Sequence, residues 1–149
     1  MKRKLFHITA LFLSILILCT TIAPVFAEDS NGGISPHASN YISSYSAYVE
    51  AGSTTGSLKV QFNITATGKM TSLGASKIQI YNSSGTCVKT FYSTSTTGMM
   101  GSNRYSFSSS VTYTGATSGA KYYAIITFKA SNSSGGDSGT YTTSYGKAK

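Results

Sequence analysis

Short runs of alternating apolar and polar residues dominate the chain from Tyr41 onward. The clearest run lies at 57–66, where Leu58, Val60, Phe62 and Ile64 alternate with polar residues. Successive side chains of a strand point to opposite faces, so this run predicts a strand with one buried and one solvated face. Comparable runs predict six further strands, near 41–50, 76–82, 86–93, 104–113, 121–130 and 139–145.

The apolar positions of these runs predict which side chains face the core. Clusters of Gly, Ser, Thr and Asn separate the runs at fairly regular spacing, and helical periodicity is absent. This pattern favours an all-β fold, which we expect to be an antiparallel β-sandwich of about seven strands over residues 41–149. The side chains expected to point inward include Tyr45, Ala47, Val49, Ile78, Ile80, Tyr105, Phe107, Val111, Tyr122, Ala124, Ile126 and Phe128.

The N-terminus has the pattern of an export signal. Three cationic residues, 2–4, precede a nearly unbroken apolar run at 5–22, and Val25 and Ala27 occupy the small-residue positions expected before a cleavage point. We therefore predict a cleaved signal peptide over 1–27. Polar residues follow without a basic stop-transfer flank, which favours a soluble product. Cys19 follows Leu18 within the apolar run, a context that disfavours lipidation.

Residues 28–40 lack periodicity and are rich in Ser, Asn, Gly and Pro, so we expect a flexible N-terminal arm. Both prolines, Pro24 and Pro36, are N-terminal, and the C-terminus carries no apolar tail. A covalent wall anchor or lipid anchor is therefore not expected. The predicted location is secreted or extracellular, with at most a loose, non-covalent association with the cell surface.

The stretch 115–139 has a distinctive order of elements. A Gly-containing loop leads through Tyr122 into a strand of alternating apolar residues, and a polar, Gly-containing hairpin follows at 132–138. This order resembles part of a fibronectin type III domain. The resemblance implies an immunoglobulin-like sandwich in which the Tyr122 hydroxyl ties the start of its strand to backbone upstream. The chain departs from that family in having no Trp. It also resembles small secreted proteins of Gram-positive bacteria, which implies a location and no activity.

The charge is positive but diffuse. The formal net charge is +8, and the predicted signal would remove Lys2, Arg3 and Lys4. The remaining lysines are scattered along the chain, whereas nucleic-acid-binding domains cluster them in a stripe or patch. We therefore expect no nucleic-acid partner. A diffuse positive field favours weak, salt-sensitive attraction to anionic polymers of a cell envelope, or serves solubility alone.

The sequence offers no constellation for catalysis, a cofactor or a metal. His37 is the only histidine after the signal, and Glu50 and Asp137 are the only acids within the predicted domain. The segment 136–139, Gly-Asp-Ser-Gly, copies part of the sequence around the nucleophile of trypsin-like proteases, but Thr140 breaks the match. We interpret it as a hairpin turn and expect no enzyme activity.

Cys87 is the only cysteine after the signal, so an intramolecular disulfide is not possible in the processed chain. Cys87 lies in the strand-like run 86–93, where a buried thiol acts as a small hydrophobe. We expect it to be buried. The alternative is a reactive or intermolecular thiol.

Two features suggest a binding surface. Met99 and Met100 stand between glycines in a polar loop, where they would form an adaptable contact if exposed or plug one end of the sandwich if folded inward. Four tyrosines are expected to point away from the core, where they could stack on sugars or anchor a protein. The alternative is that tyrosine simply suits half-buried strands. These tyrosines are Tyr81, Tyr92, Tyr123 and Tyr141.

Together these features predict a monomeric, secreted, non-catalytic binding module that acts at the cell surface or outside the cell. An envelope polymer or an extracellular glycan is the favoured ligand. A protein-interaction role, as a matrix subunit, adhesin or inhibitor, is the main alternative. A bacteriocin-like antagonist is a third possibility, suggested by size, export and charge.

Overall fold

A computed structural model describes residues 39–149, so the predicted signal and most of the predicted arm lie outside the described residues. The described chain folds into nine strands and contains no helix. Within it, no helix is long and apolar enough to cross a membrane. The strands are β1 (Ile42–Ala51), β2 (Leu58–Met70), β3 (Ser72–Asn82), β4 (Cys87–Tyr92), β5 (Met100–Gly101), β6 (Arg104–Tyr113), β7 (Lys121–Asn132), β8 (Gly135–Thr142) and β9 (Gly146–Lys147).

The strands form two antiparallel sheets that pack as a β-sandwich. The smaller sheet has the order β1-β2-β6. The larger sheet has the order β4-β3-β7-β8, with β5 also paired to β3 and β9 to β7. Taken in chain order, the seven long strands have an immunoglobulin-like arrangement. β4 lies beside β3, which is the position of strand C′ in variable-type immunoglobulin domains. The predicted fold class is confirmed.

All seven predicted strands are present, with different ends. β2 continues to Met70, β3 begins at Ser72, and β8 begins at Gly135, four residues before the predicted start. The two short strands β5 and β9 were not predicted, because two residues are too few to show alternation. Residues 136–139 therefore lie within β8, and our interpretation of them as a turn is wrong.

The core lies between the sheets and contains the alternating apolar residues of both. Tyr45 stacks on Phe128 with ring centroids 4.8 Å apart, and Phe62 meets Phe128 edge-on at 6.2 Å. Burying each large side chain contributes about 1.5–3 kcal/mol to stability. The largest fully buried side chains are Tyr45, Phe128, Ile42, Leu58, Ile64, Met70, Leu73, Ile78, Ile80, Met99, Ile126 and Val60.

Tyr105 does not join this core, contrary to prediction. Its side chain is 61% exposed, whereas Val111 of the same strand is buried and Phe107 packs against the core. The pairing of β6 with β2 is irregular between the partners of Thr65 and Met70, and Tyr105 lies in that interval. Because of this register shift, the side chain of Tyr105 does not follow the inward alternation of Phe107 and Val111.

Cys87 is exposed, so the prediction of a buried thiol is wrong. It begins β4, which is an edge strand, and it pairs with Tyr81 after a register irregularity between Ile80 and Tyr81. The thiol lies near the carbonyl of Lys89 at 3.7 Å and the hydroxyl of Thr90 at 3.6 Å. An edge position and a bulge together keep this side chain out of the core.

Tyr122 makes the contact that its sequence context predicts. Its ring is buried, and its hydroxyl oxygen accepts a hydrogen bond from the backbone N–H of Thr117 at 2.9 Å. The start of β7 is therefore tied to the loop upstream of it.

Candidate ligand-binding face

Tyr81 and Tyr123 lie side by side on the outer face of the larger sheet, the face that points away from the core. They are direct partners in the pairing of β3 with β7, and each precedes or follows a buried residue in its strand. Their rings stack with centroids 5.1 Å apart and planes 12° apart. The prediction that both point outward is confirmed.

Tyr145 completes this group and was missed by the sequence analysis. It lies between β8 and β9, and its ring meets Tyr123 edge-on, with centroids 5.3 Å apart and planes 74° apart. It is 56% exposed. No periodicity marks this residue, because its position depends on the turn that returns the chain to pair β9 with β7. We call Tyr81, Tyr123 and Tyr145 the tyrosine cluster.

Tyr92 also lies on the outer face of the larger sheet, as predicted, but outside the cluster. It is 52% exposed and pairs with Lys77 of β3. Lys77 is four residues from Tyr81 along β3, a separation of about 13 Å in a strand. A ligand that reached both the cluster and Tyr92 would therefore run along the strand direction.

Tyr141 points inward, contrary to prediction. It pairs with Ile126, packs against the core and meets Tyr45 edge-on at 6.2 Å. Gly139 and Tyr141 both face inward in β8. The prediction failed because Gly139 has no apolar side chain that would mark this face in the sequence.

The two methionines do not form an exposed pair. Met99 is fully buried, and Met100 in β5 is half-buried. β5 pairs with β3 at Leu73 and Gly74, and the backbone of Gly74, with a φ of 155°, lies directly against Met99 and Met100. Met99 closes one end of the sandwich, as the inward alternative in the sequence analysis proposed.

The outer face of the larger sheet is basic beside the tyrosine cluster. Lys121 lies two residues before Tyr123 in β7, and it pairs directly with Lys147 of β9. Both lysines are exposed. Because residues two apart in a strand share a face, the two ammonium groups and the cluster belong to the same surface.

The two acidic side chains of residues 39–149 lie elsewhere. Glu50 on the smaller sheet pairs with Lys59 at 3.7 Å and accepts a hydrogen bond from the Gln61 amide at 2.5 Å. Asp137 accepts hydrogen bonds from the Ser39 hydroxyl and from the backbone N–H of Tyr41. The protease-like segment thus holds the start of β1 in place. No group of three His, Cys, Asp or Glu side chains suited to a metal occurs within this range.

The environment of Tyr81 favours its neutral form. Burial raises the pKa of its phenol above the ordinary value of 10.0, and the neighbouring Cys87 and Tyr123 raise it further. Because a phenol is already neutral at physiological pH, this raised pKa affects the cluster only in alkaline solution.

Two open grooves lie outside the tyrosine cluster. One, of about 720 Å³, lies at the end of the larger sheet where β7 and β8 meet, and is lined by Ser76, Thr127, Lys129 and Asp137 among others. The other, of about 180 Å³, lies on the smaller sheet beside the exposed Tyr48 and the Asn63 amide. The first groove is lined largely by short polar side chains, whereas the second also includes the rings of Tyr48 and Phe62.

No family model, curated protein or solved structure matches the chain. A functional assignment therefore depends on the described surfaces themselves.

Proposed function

We propose that this protein is a secreted, non-catalytic binding module that acts at the cell surface or outside the cell, with an envelope polymer or an extracellular glycan as its ligand. The observation that carries the proposal is the tyrosine cluster on the outer face of the larger sheet. Three phenol rings gather on one exposed surface there, although no core requires them in that position.

The chemistry of the cluster suits a sugar or polyol unit. An aromatic ring offers an apolar surface to the C–H groups of such a unit, while the phenol hydroxyl offers a hydrogen bond at its edge. Tyr145 is the most accessible of the three, and its edge-on contact with Tyr123 creates a corner between two rings. Such a corner presents two aromatic surfaces at a fixed angle to one ligand.

The test measures binding of the chain to candidate polymers. The full chain would be expressed in a Gram-positive host that exports it, and the protein purified from the medium. Depletion from solution would then be measured with intact cells, isolated cell wall and insoluble polysaccharides. The variants are Tyr145→Ala and Tyr123→Ala, and Tyr105→Ala serves as the control because Tyr105 is about as exposed as Tyr145 but lies on β6 in the other sheet.

We expect depletion by at least one polymer, and a loss of affinity of about two- to tenfold in each cluster variant with little change in the control. Denaturation midpoints would show whether a variant remains folded. Equal binding by all variants would show that the tyrosine cluster is not part of the binding site. A loss on Tyr48→Ala instead would move the site to the groove on the smaller sheet. No depletion by any polymer would overturn the proposal.

A protein-interaction role is the second candidate, and one observation favours it. Arg104 and the exposed Tyr105 begin β6, which is an edge strand of the smaller sheet. Edge strands carry backbone groups free to pair with another chain, and Tyr and Arg are enriched among the residues that dominate binding at interfaces. Sedimentation over a concentration series would detect assembly. Assembly abolished by Tyr105→Ala would support this candidate over the predicted monomer.

A further inference from the structure

Lys121 and Lys147 face each other across the pairing of β7 with β9, on the same surface as the tyrosine cluster. Directly opposed residues of an antiparallel pair have Cα atoms about 4.5–5.5 Å apart, and like charges in that position are mutually destabilising. The pair therefore concentrates two positive charges at one point of an otherwise diffusely basic chain.

No side-chain carboxylate of residues 39–149 neutralises this pair. Glu50 is engaged with Lys59 and Gln61 on the other sheet, and Asp137 is engaged with the start of β1. Lys77 and Lys129 add further positive charge along the same outer face, as partners in the pairs Lys77–Thr127 and Gly74–Lys129. An anion from outside would relieve the repulsion between Lys121 and Lys147.

The cations on this face are lysines. Arginine binds carboxylates and phosphates alike through two parallel hydrogen bonds, whereas lysine acts as a compact point charge and is a common ligand of phosphate. The one arginine of residues 39–149 is Arg104, which lies over the Phe107 ring in the smaller sheet, 5.0 Å from the ring centroid. Two neighbouring ammonium groups can donate hydrogen bonds to different oxygens of one phosphate.

The distance between the lysines and the tyrosine cluster indicates how far apart the charged group and the sugar or polyol unit of the ligand must lie. Lys121 is two residues from Tyr123, a distance of about 7 Å along a strand, and Lys147 is two residues from Tyr145. A charged group at the lysines and a sugar or polyol at the rings would therefore be neighbouring units of one polymer.

We infer that the ligand is a phosphodiester-linked polymer of sugars or polyols, with Lys121 and Lys147 binding a phosphate and Tyr123 and Tyr145 contacting the adjacent sugar or polyol unit. This inference rests on the proposed function and narrows its ligand class.

The experiment compares three soluble polymers across a salt series, using the exported full chain. Poly(glycerol phosphate) supplies phosphodiesters, a polyuronate supplies carboxylates, and a neutral glucan supplies neither. The double variant Lys121→Gln/Lys147→Gln is compared with Lys59→Gln/Lys69→Gln, which removes the same net charge from β2 on the opposite sheet. Tyr145→Ala reports separately on the cluster.

We expect the phosphate polymer to bind most tightly, and the Lys121/Lys147 variant to bind it about five- to tenfold more weakly at low salt. The slope of log affinity against log salt should become shallower by about one for each lysine removed. The Lys59/Lys69 control should bind nearly as well as the unmodified protein.

Three outcomes in which at least one polymer still binds would overturn the inference. The first is equal loss in both lysine variants, which would show that the diffuse field alone attracts the polymer. The second is tighter binding of the polyuronate than of the phosphate polymer. The third is salt-independent binding of the neutral glucan that is lost only on Tyr145→Ala, which would refute the phosphate site while leaving the proposed function intact. Failure of all three polymers to bind would also overturn the inference, and the proposed function would fail with it only if isolated cell wall and insoluble polysaccharides did not deplete the protein either.

Discussion

Tyr45 of β1 and Phe128 of β7 stack across the interior of the sandwich, with ring centroids 4.8 Å apart and planes 22° apart. The contact joins the two sheets at the aromatic centre of the core. Gly139 of β8 pairs with Phe128, and a Cβ atom at that glycine would lie 2.7 Å from the Cε1 and hydroxyl oxygen of Tyr45. The missing side chain is what lets the Tyr45 ring lie flat against its partner.

We predict that Gly139→Ala destabilises the domain by about 1–3 kcal/mol, because the added methyl group must displace the Tyr45 ring. Urea denaturation followed by tyrosine fluorescence measures this change. Gly68→Ala is the matched control, since Gly68 also lies in a strand and a Cβ there meets nothing closer than the Met70 methyl at 4.0 Å. Equal midpoints for the two variants would contradict the packing of Tyr45 described above.

The hydroxyl of Tyr122 provides a second test of the fold. Tyr122→Phe keeps the buried ring but removes the acceptor of the Thr117 N–H. We expect a loss of about 0.5–1.5 kcal/mol, the usual net contribution of an intramolecular hydrogen bond, because Thr117 is exposed and the bond is only partly buried. Tyr113→Phe is the control, because the Tyr113 hydroxyl donates to the Gly115 carbonyl in an exposed position. A loss no larger than that of the control would mean that water replaces the bond to Thr117.

Alkaline pH should weaken the fold through Tyr45 and Tyr81. Burial raises the pKa of both phenols above 10.0, so the folded chain holds these protons more tightly than the unfolded chain. The resulting stabilisation is fully present below pH 10 and is lost as the pH rises through the raised folded values. Urea midpoints between pH 8 and 11 should fall above pH 10, less steeply in Tyr81→Phe. An identical pH profile in that variant would exclude a contribution from Tyr81.

The Cys87 thiol should react in the folded protein. It is exposed at the start of an edge strand, so a thiol reagent should modify it without denaturant. Cys87→Ser should change the stability by no more than about 0.5 kcal/mol, as surface substitutions do. The rate in native buffer would be compared with the rate in urea. A native rate that is orders of magnitude slower would show the thiol to be buried after all.

The alternation of apolar residues determined most of the fold. Runs such as Leu58 to Ile64 have a period of two that only a half-buried strand satisfies, so the seven long strands, the fold class and most inward positions could be predicted. The Tyr122 hydrogen bond was implied by the resemblance to fibronectin type III domains, and its partner lies only five residues upstream. Interactions within one strand or one loop depend on residues that are close together in the sequence, so a sequence pattern can predict them.

Where the sequence analysis failed, a non-local contact was decisive. The faces of Cys87 and Tyr105 were set by register shifts against partner strands, and Tyr141 turned inward because pairing with β7 placed Gly139 against the Tyr45 ring. The alternation of apolar residues within a strand does not show such shifts, which depend on the partner strand. A displacement of one residue is enough to move a side chain to the other face.

The candidate site was assembled by tertiary structure. The sequence identified Tyr81 and Tyr123 as outward residues on separate strands, but the pairing of β3 with β7 made them neighbours. Tyr145 joined them, and Lys147 met Lys121, only because the chain after β8 turns back to pair with β7. The sequence by itself determined most of the residues that face solvent within the regular strands. The order of the strands decided which of them share a surface, because that order depends on burying both apolar faces at once.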